Sequence, residues 1–309
     1  MRDRVVVSRT PIAALALLLL LAPLLPGVAT RTRAFLTGRQ GAPVHQLYFD
    51  LAKLWRKGVV YSTSTTWIFR LAPVAVTVTA ILAACLLPLD GRQSVVTFSG
   101  DLIAFASLLA LGRFSLVLAG LDTGSSFEGM GASREVTFAS FAEPALFLCL
   151  IALVRATGSL SLAGMLGAPL AEAWPVAAPS LLMVGAALFA VLLAENSRVP
   201  VDDPATHLEL TMIHEVMVLD HSGPDLALIL YGSALKLALF GALLVGVLLP
   251  RANLPAGIAL AVLAAGLLAV AALVGVVESV MARLRLDRVP QFLVAASALA
   301  FLAVVLLLW

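Results

Sequence analysis

The chain has 309 residues, of which 61% are hydrophobic and 12% are charged, and its formal net charge at pH 7 is +2. No soluble domain of this length needs so much apolar surface, so the composition predicts a polytopic α-helical membrane protein. The small net charge and the absence of basic runs mixed with aromatic residues argue against nucleic-acid binding. Because a helical bundle in lipid counts as one unit, we expect a single domain over residues 1–309.

The first apolar run covers residues 11–28 and follows the basic segment MRDRVVVSR. This pattern is also typical of a signal peptide, with cleavage near residues 28–30. We favour a retained first helix, because the run is about long enough to span a bilayer and the rest of the chain is itself a membrane bundle.

Seven further apolar runs follow, and together the eight runs predict an all-α bundle of eight transmembrane helices. The run 138–154 is at the lower limit of length for a span. No internal repeat of the kind found in many transporters is visible. The seven runs are 71–89, 102–121, 138–154, 176–194, 226–249, 254–277 and 292–309.

The basic residues of the predicted loops are distributed unequally, with eleven on one side of the membrane and six on the other. Cytoplasmic loops carry the excess of Arg and Lys, so both termini should lie outside a bacterial inner membrane. The two long loops, 31–69 and 195–225, should then be cytoplasmic. The eleven are Arg31, Arg33, Arg39, Lys53, Arg56, Lys57, Arg134, Arg198, Arg283, Arg285 and Arg288, and the six are Arg2, Arg4, Arg9, Arg92, Arg155 and Arg251.

Within the first long loop, residues 43–58 predict an amphipathic helix that lies in the membrane interface. Pro43 suits its first turn and Gly58 its C-terminal cap. The helix is expected to be either a surface anchor or a wall of a cavity beside the second long loop. Its apolar face comprises Val44, Leu47, Tyr48, Leu51, Leu54 and Trp55, and its polar face Gln46, Asp50, Lys53, Arg56 and Lys57.

The two cysteines, Cys85 and Cys149, both lie in apolar runs, and the sequence has no CxxC motif or Cys/His cluster. Iron–sulfur clusters take several thiolate ligands, so this chain should hold none. We therefore expect no cofactor and no metal in the chain, and no electron transfer through it. A disulfide between the two cysteines has no support in the sequence.

Ionisable residues interrupt the apolar spans, and each costs about 2.5–3.5 kcal/mol at a helix centre, so they should face the bundle interior. Glu195 and Glu278 follow at the ends of two spans. Most of these groups fall in the half of the bundle next to the loop 195–225, which predicts a polar half-channel or proton relay there and a dry opposite half. A plain packing role for an Arg113–Glu143 pair is the alternative. The four residues within spans are Asp101, Arg113, Glu143 and Lys236.

The loop 195–225 carries 7 of the 18 acidic residues and 3 of the 4 histidines. A helix is predicted over residues 205–220, between Pro204 and Gly223, with Glu209 and Asp220 on one face. His207, His214 and His221 recur every seven residues on the other face, about 10 Å apart, which is too far to share a metal. Their ordinary pKa lies near physiological pH, which suits proton exchange. The alternative is a solvated loop.

Three stretches carry a resemblance to a known family: AENSRVPVDDP at 194–204, GMGASREVTFASFAEP at 129–144, and FDLAKL at 49–54. The chain resembles the membrane subunit shared by respiratory complex I, its subunit 1 or H, and the group 4 membrane-bound NiFe hydrogenases. Residues 202–227 and the stretch ESVMARLRLDRVPQFL are typical of the hydrogenase branch of formate hydrogenlyase subunit 4 and hydrogenase-4 component C. Residues 220–223 read DHSG where the complex I form usually has EYSG, which argues against quinone binding.

The resemblance implies a membrane anchor and proton-translocating subunit that docks a cytoplasmic arm. That arm would hold the NiFe centre in a large subunit, with a small subunit and an iron–sulfur protein carrying the clusters, and antiporter-like subunits would adjoin in the lipid bilayer. The implied proton-coupling residues are Arg113, Glu143, Glu195, Arg198, Asp202, Asp203, Glu209, His214, Glu215, Lys236 and Glu278. The implied contacts with the arm are Arg134, His207, Met212, Asp220 and His221.

Two other functions compete with this one. The first is a complex I subunit bordering a quinone cavity. The second is an autonomous secondary transporter, which the missing repeat argues against.

Overall fold

A computed structural model describes residues 9–203 and 212–308, and every regular element within those ranges is helical. The predicted all-α class is therefore confirmed. Two short 3-10 helices, Glu215–Val218 and Leu286–Arg288, supplement the α-helices. The α-helices are α1 Arg9–Leu21, α2 Leu24–Leu36, α3 Gln46–Leu54, α4 Trp67–Leu86, α5 Asp101–Asp122, α6 Ser126–Thr157, α7 Leu162–Met165, α8 Ala168–Glu195, α9 Gly223–Leu248, α10 Ala256–Val280 and α11 Val289–Leu306.

Seven of the helical segments are long and apolar enough to cross a membrane. The pair α1 and α2, which bends by 46°, makes an eighth span if the two helices are counted together. The predicted polytopic membrane bundle is thus confirmed, with seven or eight spans.

The first span differs from the apolar run 11–28 that predicted it. It is broken after Leu21, where Pro23 lacks a backbone donor, and it resumes as α2 and continues to Leu36. The break leaves two carbonyls without helical partners. Tyr48 donates its hydroxyl to the carbonyl of Leu20, and Tyr231 donates to that of Leu19 at 3.2 Å. Such carbonyls must be satisfied within the protein at membrane depth.

The predicted boundary of the span at 138–154 is wrong by twelve residues. Helix α6 begins at Ser126 and runs for 32 residues, with Pro144 inside it. Hydropathy identified only its apolar part, because the first three turns include charged residues such as Glu128 and Arg134. This polar extension has its own function in holding the second long loop, as described below.

Helix α3 forms where the amphipathic pattern predicted a helix, between α2 and α4. None of its residues is fully buried, and Phe49 and Trp55 are 59% and 58% exposed. Its placement in the plane of the membrane interface remains a prediction.

Helix α9 is the most buried span, and it packs mainly against α4, α8 and α10. The loops at the two ends are tied together in two separate sets. At one end, which we call the polar-loop end, Val60 N–H donates to Ser222 Oγ at 3.2 Å, and Leu284 N–H donates to the carbonyl of Pro200 at 2.9 Å. At the opposite end, the Arg92 guanidinium donates to the carbonyls of Ala252 and Leu254.

Helices α2 and α10 approach so closely that the contact requires glycine. A Cβ atom on Gly275 would overlap the carbonyl oxygen of Ala29 and lie 2.8 Å from the Cβ of Thr32. Small residues at such crossings let membrane helices pack backbone to backbone.

Replacing Gly275 by Ala should therefore lower the free energy of unfolding by roughly 1–3 kcal/mol, the usual range for overpacking. Gly257→Ala on the same helix is the matched control, because nothing lies within 4 Å of a Cβ there. The control should be neutral or slightly stabilising through helix propensity. Denaturation in detergent measures both, and equal stability of the two variants would contradict the close approach.

Candidate functional site

Four charged side chains meet inside the bundle and form what we call the central network. Arg113 on α5 donates one guanidinium nitrogen to Glu143 on α6 and another to Glu195 at the end of α8. Lys236 on α9 lies 2.7 Å from the second oxygen of Glu195. The side chains of Arg113 and Glu195 are 9% and 4% exposed, whereas that of Glu143 is 41% exposed. Three of the four charges predicted within spans, Arg113, Glu143 and Lys236, are thus brought together with Glu195, whereas Asp101 binds elsewhere, at Leu162.

The start of the loop 195–225 is anchored by a second group of ion pairs. Arg198 pairs with Glu278 of α10 at 3.2 Å, and Asp202 pairs with Arg283 at 3.0 Å. Asp203 accepts both guanidinium nitrogens of Arg33 on α2, the shorter contact being 2.9 Å. Four residues predicted to serve proton coupling therefore also fasten the loop to three different parts of the bundle.

A cavity of about 230 Å³ lies between the central network and the loop. Part of its lining is apolar and includes Pro26 of α2 and Leu47 of α3. The other part of its lining is polar. The charged and histidine side chains that line it are Arg113, Glu135, Glu195, Arg198, Asp202, His214, Glu215 and Lys236.

Glu135 is the member of this cavity that sequence reasoning missed. It lies next to Arg134 in the polar stretch before the predicted span 138–154, which hydropathy does not include in a helix. With α6 starting at Ser126, Glu135 falls one helical turn before Phe138 and Ala139 and faces the same interior groove as Ala142. A helix boundary placed twelve residues earlier would have pointed to it.

The predicted helix over residues 205–220 is not what the described part of that stretch forms. Residues 204–211, including His207 and Glu209, lie outside the described residues. Residues 212–220 contain only the 3-10 helix Glu215–Val218. Side chains bind the backbone groups that an α-helix would use: Asp202 accepts the N–H of Ile213 at 3.0 Å, and Arg134 donates to the carbonyl of Met212 at 2.9 Å.

Three positions on α6, each three residues apart, hold this segment. Glu128 accepts the N–H of Asp220 at 3.2 Å. A Cβ on Gly131 would overlap the side chain of Val216, so only glycine admits that side chain. Arg134 completes the set through Met212. The segment 212–220 is thus fixed along the polar extension of α6.

His214 brings an imidazole into the polar part of the cavity. Its Nε2 lies 3.3 Å from Ser233 Oγ. Burial, and then the nearby Lys236 ammonium, lower the pKa of His214 to about 4. The expectation of a histidine with an ordinary pKa is therefore corrected: His214 is neutral at pH 7.

The residues predicted to contact a partner differ in accessibility. Met212 is 4% exposed and His221 is 3% exposed, so both face the interior of their own chain. A partner reaches these two side chains only if the loop moves. Asp220 is exposed, and its neighbour Leu219 is 54% exposed, so these two form the accessible surface of the described segment.

The opposite half of the bundle is not dry, contrary to the sequence-based expectation. Asp101 is fully buried and accepts the N–H of Leu162 at 2.6 Å, which caps α7. Arg251 is 2% exposed, and burial lowers its pKa to about 10 although the Asp90 carboxylate opposes the effect. Among the described residues, neither group has a hydrogen bond or ion pair with the central network, and Asp101 holds the start of α7 in place.

The profile of the NADH dehydrogenase family matches residues 9–309. The chain belongs to this family. Formate hydrogenlyase subunit 4 of Escherichia coli is 33% identical over 306 residues, which cover 96% of this chain and 98% of that protein. Hydrogenase-4 component C of the same organism is 36% identical over 239 residues, covering 77% and 74%. The resemblance to the hydrogenase branch is thereby confirmed.

More distant family members include NADH-ubiquinone oxidoreductase chain 1 of Triticum aestivum, 26% identical over 263 residues. Among solved structures, a chain of the membrane-bound sulfane sulfur reductase, an archaeal respiratory membrane complex, superposes with a TM-score of 0.82 at 20% identity and covers 97% of this chain. That likeness shows a shared fold. This family member is therefore an integral membrane protein related to subunits of multi-subunit oxidoreductase complexes.

His221 offers a test of the packing of the loop. Its ring stacks on Phe69 with centroids 3.9 Å apart and planes 7° apart, and neither ring nitrogen has a hydrogen-bond partner among the described residues. Burial lowers its pKa to about 4. Between pH 6.5 and 4 the unfolded histidine binds more protons than the folded one, so stability falls as the pH falls through this window.

We expect His221→Phe to raise the thermal unfolding temperature at pH 7, because it removes buried unpartnered nitrogens at a gain of about 1 kcal/mol. It should also reduce the loss of stability between pH 7 and pH 5. His45→Phe is the control, since His45 is exposed. A destabilised His221→Phe protein would show that the imidazole nitrogens have partners after all.

Proposed function

We propose that this chain is the membrane anchor and proton-translocating subunit of a multi-subunit hydrogenase of the formate hydrogenlyase or hydrogenase-4 type. The observation that carries the proposal is the central network, three of whose members line a partly polar cavity together with described residues of the loop 195–225, such as Asp202 and His214. The names of its two E. coli relatives support a hydrogenase assembly.

The partners we propose are a NiFe large subunit, a small subunit, an iron–sulfur protein and antiporter-like membrane subunits. The NiFe centre and the iron–sulfur clusters belong to those partners, and this chain contributes no catalytic residue. The catalytic arm docks at the polar-loop end, which faces the cytoplasm of a bacterial inner membrane, as the excess of basic residues there favours. The exposed Leu219 and Asp220 belong to the docking surface.

The network suits proton movement because Arg113 is shared. A guanidinium does not lose its proton in a protein, so the two carboxylates that it contacts compete for one fixed charge. When Glu143 or Glu195 takes up a proton, Arg113 pairs more strongly with the other. Two arrangements of similar energy of this kind form a switch that a nearby charge can bias.

The loop supplies the bias in this proposal. His214 and Glu215 are carried by the segment 212–220 and line the cavity beside Lys236. A change of charge in the docked arm moves or recharges this segment and thereby changes the field at Lys236 and Glu195. Glu135 lines the cavity together with Arg113 and Glu195, and in this proposal it is the carboxylate from which a proton passes to the carboxylates of the network.

Glu135→Gln should leave the complex assembled but lower proton movement by at least tenfold, because an amide cannot pass a proton on to Glu143 or Glu195. Proteoliposomes with an internal pH-sensitive dye measure the movement. Glu172→Gln, an exposed glutamate near the start of α8, is the matched control and should move protons at the parental rate. A Glu135→Gln complex that equals the control removes Glu135 from the path.

Leu219→Asp tests the docking surface. The change places a charge on a side chain that is 54% exposed, so the fold of this chain is unaffected while an apolar contact with the arm is lost. The arm should dissociate during purification, as seen by loss of the hydrogenase large subunit from the eluate. Leu249→Asp at the opposite end, where the leucine is 48% exposed, should retain it. Retention by both variants places the arm elsewhere.

A quinone-binding function is the second candidate, and the apolar part of the cavity lining, which includes Pro26 and Leu47, favours it. Such a lining fits a hydrophobic tail with a polar head directed at the charged part. If this function is correct, the lipid extract of the purified parent complex contains quinone, and the extract of the Leu47→Trp complex contains less. Neighbouring genes for a nickel-containing large subunit decide for the first.

A further inference from the structure

Glu143 is an ionisable residue that remains partly exposed at a depth where the chain would be surrounded by lipid. Its side chain is 41% exposed, whereas its partners in the central network are largely buried. It lies 14 residues before the end of α6, which is roughly 21 Å along the helix axis at 1.5 Å per residue. In a hydrocarbon core about 30 Å thick, that position is well below the surface.

The exposed part of Glu143 faces outward from the bundle. Val136, Ser140, Pro144 and Phe147 are exposed positions of α6 that lie on one helical face, and Glu143 lies at the edge of that face. Phe114, which follows Arg113 on α5, is also 55% exposed. We call Val136, Ser140, Glu143, Pro144 and Phe147 the Glu143 face.

Lipid is a poor neighbour for this face. A charged group in contact with hydrocarbon costs about 2.5–3.5 kcal/mol even by the lower scales, and ionisable residues within spans face protein or water. Arg113 is the one hydrogen-bond partner of the Glu143 carboxylate among the described residues, although a carboxylate accepts about four hydrogen bonds. Oxygen lone pairs are therefore directed outward at membrane depth.

We propose that the Glu143 face is covered in the assembly by a transmembrane helix of a different membrane subunit. That helix carries a hydrogen-bond donor or a protonatable side chain opposite Glu143, and a small residue opposite Phe147. It supplies the outward-facing carboxylate with its missing donor and excludes lipid from the Arg113–Glu143 pair. The inference rests on the proposed function only in needing a multi-subunit assembly, and it names the surface at which the membrane partner joins.

Photo-crosslinking in the purified complex tests the cover directly. A benzophenone amino acid at Ser140 should give an adduct with one other membrane subunit, and mass spectrometry should map it to an apolar span that contains a polar residue. The same amino acid at Phe301, which is 58% exposed on the apolar face of α11, is the control and should give mainly lipid adducts. Lipid adducts at Ser140 in the control's proportion, or an adduct with a second copy of this chain, overturn the proposal.

A pair of substitutions tests the chemistry of the covering helix. Glu143→Gln keeps two acceptor positions and should retain the neighbouring subunit through detergent purification. Glu143→Leu should lose at least half of it, because the donor opposite is left unpaired. If the face meets lipid, the leucine variant is retained as well as the parent, and the proposal fails.

These outcomes are separable from those of the coupling experiment. Protein adducts at Ser140 together with normal proton movement by Glu135→Gln would refute the proton path and leave the covered face intact. Lipid adducts at Ser140 together with impaired Glu135→Gln would do the reverse.

Discussion

The structure depends on keeping a guanidinium ionised inside a membrane. Arg113 lies in the middle of α5, and its charge is balanced by the carboxylates of Glu143 on α6 and Glu195 on α8, while Lys236 on α9 pairs with the second oxygen of Glu195. The four helices are therefore constrained in rotation and in depth by one cluster. Removing one partner from such a cluster destabilises the protein by about 3–5 kcal/mol, because a buried charge is left unmatched. This cost is larger than the net stability that the intact cluster provides.

The same constraint explains how the second long loop is built. A segment that closes a cavity between charged residues cannot leave backbone groups unpaired, and the described part of the loop makes no α-helix to pair them internally. Asp202, Glu128 and Arg134 take that place, each binding one backbone group of residues 212–220. This packing restricts which residues are tolerated, since only glycine at position 131 leaves room for the side chain of Val216.

Hydropathy was sufficient to predict the spans, because an apolar run of about twenty residues has few alternatives to crossing the bilayer. The sequence also singled out Arg113, Glu143, Glu195 and Lys236, since charges in such runs are conspicuous. It did not reveal Glu135, because the polar first turns of α6 look like a loop when apolar content defines a helix. Nor did it predict the conformation of residues 212–220, which long-range side-chain contacts determine and local periodicity does not.

Helix α6 is about 48 Å long at 1.5 Å per residue, some 18 Å more than a hydrocarbon core of about 30 Å requires. The helix therefore has two parts in different environments. The N-terminal part contacts the segment 212–220 through Glu128, Gly131 and Arg134, and the part within the bundle bears Glu143. If the helix moves as a rigid unit, a tilt at one end also changes its orientation at the other end. A tilt of a few degrees, pivoting near Pro144, displaces the loop contacts by an ångström or more while Glu143, close to the pivot, mainly rotates. A displacement of the segment 212–220 by an ångström would thus be accompanied by a smaller change in the geometry of the Arg113–Glu143 ion pair.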